Sequence, residues 1–213
     1  MHIIDSLSSG GAEKLVRDVV PLLNADKELV TQADILLLTD EKNVFEKELL
    51  DMGVQVDIAP LRSLRNPLNI FFIHKYIRLG GYDIVHVHLF PANYWTSIAI
   101  KMIKKNPPKL VTTEHNTHNK RREKKFLKVV EKNIYSTFDR VISISQETQN
   151  NLVEWLDIGK NELSPKFSII ENGVDIIRYA EALPYYKSEI GHFRETDKLI
   201  CMVGRFSEQK DQE

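Results

Sequence analysis

Short apolar runs of strand character alternate with segments of helical period over the first 170 residues, and that alternation leaves few folds open. The run at 34–39 is apolar without interruption, as a strand covered on both faces requires, whereas 54–58 alternates polar and β-branched residues and therefore has one wet face. Further strand-like runs lie at 2–4, 83–89, 109–114 and 140–145. Helix-period segments separate them. One starts at Ala12 with Leu15, Val16, Val19, Leu22 and Leu23 recurring on one side, and others span 43–51, 67–79, 93–104, 122–137 and 146–156. The 122–137 helix carries Phe126, Val129, Val130 and Ile134 as its expected buried face, and Ser145 is placed to cap the 146–156 helix. Six strands alternating with helices specify an α/β, Rossmann-like parallel sheet with helices on both faces. In the doubly wound order 3-2-1-4-5-6 the third strand is an edge, which agrees with its one wet face. A seventh strand at 167–170 runs into an Asn172-Gly173 turn, so the expected domains are 1–170 and 171–213, the second being a linker and the truncated start of another α/β domain with a strand at 199–203.

Composition narrows the partners. A chain of 213 residues with 42% hydrophobic content can bury a real core, and a net charge of -1 provides no global field for nucleic acid. The lone Cys201 cannot form an internal disulfide and the N-terminus has no secretory pattern, which points to a reducing, cytoplasmic setting. No apolar stretch reaches the roughly 18 residues of a membrane span.

The chemistry-bearing residues fall at strand ends. Gly10 and Gly11 stand between the first strand and its helix, where a backbone without Cβ admits a close ligand and the helix N-terminus favours an anion; a plain tight turn is the alternative. His86 and His88 are two apart on a strand and share a face, His86 further inside and His88 at the strand end, where a neutral imidazole could hydrogen-bond a substrate hydroxyl. Glu114, His115 and His118 end the neighbouring strand and could meet His88. Such a set raises a metal reading, but paired-ligand spacings on a helix or between cysteines are absent, so no metal is expected. The basic run at 120–125 opens a helix whose dipole it opposes, which suggests a mobile segment attracted to phosphate or to an anionic membrane surface.

Six segments in order resemble glycosyltransferase family 4: Gly10-Gly11-Ala12-Glu13, the strand ending in His86-Val87-His88, Thr113-Glu114-His115, Ser143-Ile144-Ser145, Asn172-Gly173-Val174-Asp175, and Gly204-Arg205 followed by Lys210. The resemblance implies the GT-B architecture of two Rossmann-like domains facing across a cleft. It further implies sugar transfer from a nucleotide-sugar donor to a glycan or lipid-linked acceptor with retention of configuration, without cofactor or metal, in bacterial surface polysaccharide synthesis at the inner face of the membrane. It places Gly10 and Gly11 beside the donor diphosphate and acceptor, His88 as the catalytic histidine near the reacting sugar, and Arg205 and Lys210 on the diphosphate; Glu114, His115 and His118 are candidates for the acceptor side. Two cations on the departing diphosphate would stabilise the transition state more than the ground state. The chain stops before the family's Glu-x7-Glu motif, so it is expected to be the acceptor-side half of the enzyme and inactive by itself. A GT-B nucleotide-sugar epimerase and a stand-alone flavodoxin-like binding module are the competing readings.

Overall fold

The structure is a computed structural model that describes residues 1–117, 119–159 and 165–200. Seven parallel strands form one sheet: β1 (His2–Ile4), β2 (Ile35–Leu37), β3 (Val56–Ile58), β4 (Ile84–His88), β5 (Lys109–Glu114), β6 (Arg140–Ser143) and β7 (Phe167–Ile169). Their order is β3-β2-β1-β4-β5-β6-β7, the doubly wound order with the seventh strand added beyond the sixth. The connections are α1 (Gly11–Ala25), α2 (Glu46–Asp51), α3 (Asn69–Gly80), α4 (Ala92–Lys101), a 3-10 turn (Lys120–Glu123), α5 (Leu127–Ser136) and α6 (Gln146–Leu156). Beyond them lie two short helices, α7 (Ile176–Ala180) and α8 (Lys187–Ile190). Residues Met1–Asn172 form one compact unit and Gly173–Glu213 a second.

The pleat sorts the core into two layers. Ile3, Val85, Val87, Leu110 and Val141 face α3, α4, α5 and α6, while Ile4, Ile35 and Leu37 face α1 and α2. Every residue of β2 is buried and every residue of β3 is half-buried, as continuous and alternating apolar patterns require of an inner and an edge strand. Ser145 caps α6, its Oγ accepting from the Thr148 N–H at 3.1 Å.

Three local expectations fail. The segment from 122 to 137 is not one helix, because the 3-10 turn ends at Lys124 in an extended backbone and α5 starts only at Leu127. The buried face of α5 is Glu131, Ile134 and Tyr135, with Phe126 71% and Val129 66% exposed. An apolar count misjudged this helix because a buried carboxylate with hydrogen-bond partners occupies a core position. On α1 the buried side is Ala12, Val16, Arg17 and Val20, with Leu22 turned to solvent. Leu199 and Ile200 have no strand conformation, and the rest of that expected strand lies outside the described residues.

Candidate functional site

In a parallel sheet every strand points its carboxyl end to the same edge, and the loops part where the strand order reverses, here between β1 and β4. Asp5, the residue after β1, pins three loops at that point. Its carboxylate accepts from the Ala92 N–H at 3.1 Å, at the start of α4, and its carbonyl accepts from Leu38 and Thr39 N–H, each at 3.1 Å. Burial pushes the Asp5 carboxyl up to about 7, Glu13 adds to the rise, and the Ala92 N–H and Arg121 oppose it.

The glycine loop follows. Gly10 is the extended residue that precedes α1. A Cβ on Gly10 would fall 2.1 Å from the Glu13 carboxylate, whereas one on Gly11 would meet nothing within 4 Å. Glu13 also accepts from the Ser8 hydroxyl at 3.0 Å. An anion arriving at this helix end therefore meets the Glu13 carboxylate beside Gly10, while the approach over Gly11 is open.

His88 does lie at the carboxyl end of β4, but it is only 2% exposed and is more buried than His86. Its Nε2 is 3.2 Å from Nδ1 of His2 and its Nδ1 is 3.1 Å from Nε2 of His115, so the ring is held on both sides. Nε2 of His86 bonds the Thr113 hydroxyl at 2.8 Å. Desolvation pushes His2 down to about 3, His115 down to about 4, and His86 and His88 well below the usual histidine range, so the four imidazoles are neutral near pH 7. Through His115, the residue after β5, His88 is linked to the carboxyl edge of the sheet.

Glu114 goes the other way. Successive strand residues face opposite sides, and its carboxylate accepts from the Tyr135 hydroxyl and lies 3.2 Å from the Arg122 guanidinium, under α5. Burial raises its pKa, with Arg122 pulling the other way. The structure thus brings His115 to His88 and takes Glu114 away from it. Below lies Glu131, fully buried, accepting from Tyr94 Oη and Trp155 Nε1 at 2.7 Å each and from Arg121 Nε at 3.3 Å. Arg121 lays its guanidinium on the Phe90 ring, 3.9 Å from the centroid, in the loop after β4. Arg121 and Arg122 are therefore built into the fold and are not a mobile basic tail, whereas Lys124 and Lys125 remain exposed.

The expected positions His118, Arg205 and Lys210 lie outside the described residues. Sequence reasoning missed Asp5, His2, Arg121 and Glu131. A signal existed for one of them, since Asp5 directly follows the first strand, whereas His2 meets His86 only through the register of β1 on β4. Glu131 offered none, since a lone carboxylate in a helix normally marks the wet face.

The crystal structure of HepE from Anabaena, in complex with UDP and glucose, matches with a TM-score of 0.63 at 21% identity, over 84% of this chain and 46% of that one. A glycosyltransferase from Rickettsia africae matches with a TM-score of 0.63 at 23% identity, over 86% of this chain and 46% of that one. The chain thus spans about half the length of these proteins, and the likeness is to the Rossmann-like fold found in GT-B glycosyltransferases. A search of curated proteins returns no match. The sequence profile of Glycosyltransferase Family 4 matches residues 9–178, from the glycine loop through all of β2 to β7, and the chain belongs to that family.

Proposed function

We propose that this chain is the acceptor-side domain of a retaining glycosyltransferase, which moves a sugar from a nucleotide-sugar donor to a glycan or lipid-linked acceptor in surface polysaccharide synthesis. The observation that carries the reading is the crevice at the β1/β4 reversal, with Asp5 joining its walls and Gly11 leaving one approach unobstructed. HepE, a protein of the same fold, is seen in complex with UDP, with UDP-glucose and with UDP and glucose, which supports a nucleotide-sugar donor. Gly10 and Gly11 would border the donor diphosphate and the acceptor, and His88 would serve the reacting sugar, its tautomer fixed by His2 and His115. Arg205 and Lys210 would grip the diphosphate. The transfer needs no metal in this reading, because cationic side chains supply the charge on the leaving group.

Peripheral membrane contact at the cytoplasmic face belongs to the same reading. Exposed Lys124 and Lys125 adjoin Phe126, Val129 and Val130, which no other part of the described chain covers well. Cations beside exposed apolar side chains suit the interface of an anionic bilayer.

Calorimetric titration of UDP and GDP tests the division of labour. The 213-residue chain should bind them weakly and transfer no sugar, since a diphosphate site needs both halves held in place; micromolar affinity or turnover by the chain alone would overturn it.

A further inference from the structure

The carboxyl-edge crevice does not account for His2 and His86. Both rings sit with His88 on the α1 side of the sheet, and there a cavity of about 840 Å³ opens between the sheet and α1. Its walls include Val19 and Leu23 of α1, and it runs past Asp34, Tyr82 and Ile84, at the amino ends of the strands, away from the β1/β4 loops. Within it the fold presents a histidine pair two apart on β4 and a third histidine directly across on β1, in register with His86. One nitrogen from each of His2, His86 and His88 lies within 4.8 Å of the others.

The geometry points to a three-histidine site for a divalent transition cation, zinc being the natural probe, bound by His2, His86 and His88 with solvent from the cavity as the fourth ligand. Tetrahedral zinc holds nitrogens at about 2.0–2.1 Å, which puts any two of them about 3.3 Å apart. His2 Nδ1 and His88 Nε2 already stand 3.2 Å apart. His86 has only to close a gap within the 4.8 Å span, a side-chain adjustment. The outer partners also suit a metal. His88 can donate its Nδ1 proton to His115 Nε2 and His86 its Nε2 proton to Thr113 Oγ1, which leaves His88 Nε2 and His86 Nδ1 as lone pairs. His2 Nδ1, the donor to His88 Nε2 in this arrangement, becomes a ligand when its proton moves to Nε2, a tautomer change with no net proton release. Neutral nitrogen donors favour zinc, copper, nickel or cobalt over magnesium or calcium. The site lies inside Met1–Asn172 and shares His88 with the transfer reaction proposed above, but its test reads metal uptake and not sugar transfer, so either reading can fail without the other.

The test uses the whole 213-residue chain without a histidine tag, dialysed against zinc and assayed for metal content, and then loaded with cobalt(II) for its visible spectrum. The expected result is one zinc per chain and the intense absorption of four-coordinate cobalt, with unfolding shifted to higher temperature by added zinc. His86→Gln should abolish the stoichiometric uptake. Thr113→Val, which keeps all three ligands and removes the hydroxyl on His86, should weaken zinc by about 10-fold and so gives a reading even if the first variant does not fold. His74→Gln, outside the cluster, should change nothing. Zinc below one equivalent, six-coordinate cobalt, or uptake indifferent to Thr113→Val and sensitive to His74→Gln would overturn the proposal.

Discussion

Glu131→Ala is expected to be among the most damaging single changes in the chain. The carboxylate is fully buried and accepts from Tyr94 Oη, Trp155 Nε1 and Arg121 Nε, while Arg122 Nε stands 3.8 Å away. Truncation strands these donors and leaves the buried Arg122 guanidinium with the Glu114 carboxylate, 3.2 Å away, as its remaining ion-pair partner. Breaking a buried ion pair from one side costs about 3–5 kcal/mol, against a total stability of about 5–15 kcal/mol. Glutamine should be milder, at about 1–3 kcal/mol. Its oxygen can face the indole N–H and its amide can donate to the Tyr94 hydroxyl, which rotates to accept, so two contacts survive and only the ionic ones are lost. With a urea slope of about 2 kcal/mol/M, alanine should lower the unfolding midpoint by about 2 M and glutamine by about 1 M. An alanine midpoint within about 0.5 M of the parent, at unchanged slope, would refute the reasoning.

Two further outcomes follow from groups at the crevice and on the surface. Asp5 has a folded pKa near 7, above its unfolded value, so its contribution to stability is complete at low pH and is lost as pH rises through 7. Asp5→Asn keeps the acceptor for Ala92 and cannot ionise, so it should match the parent near pH 4 and exceed it by about 2–4 kcal/mol at pH 8; equal stability at both pH values would contradict the burial of an ionisable Asp5. Replacing Lys124 and Lys125 by Glu and Phe126 by Ser should leave folding intact and lower co-sedimentation with anionic vesicles by about 10-fold at low salt, and unchanged binding would remove the membrane surface from the proposed function.

The sheet was legible because it is written in local chemistry. The unbroken apolar run that became β2 and the alternating run that became β3 fixed which strand is central and which is the edge, and strand-to-helix alternation fixed the parallel order. The site was legible only in outline. His88 and the glycine loop could be placed at the strand ends from the pattern alone, but the neighbour that holds His88 is His2, 86 residues away, and only the strand register brings them together. The failure on α5 has the same origin. Phe126 and Val129 look like core until Glu131, Tyr94 and Trp155 are seen to satisfy one another, and no periodicity in one segment encodes a partner from two others.

The central claim, that the reaction uses the crevice over the glycine loop, is tested most directly by Gly11→Val in the complete open reading frame that carries this chain. A Cβ at Gly11 enters open space and meets nothing within 4 Å, so a substitution there should change folding by no more than about 0.5 kcal/mol. The same side chain would occupy the approach proposed for donor and acceptor. Sugar transfer from the nucleotide-sugar donor, measured as kcat/KM on the two purified enzymes, should therefore fall by about 100-fold or more while thermal unfolding stays the same. Equal turnover by the stable Gly11→Val enzyme would contradict the account and move the reaction away from this loop.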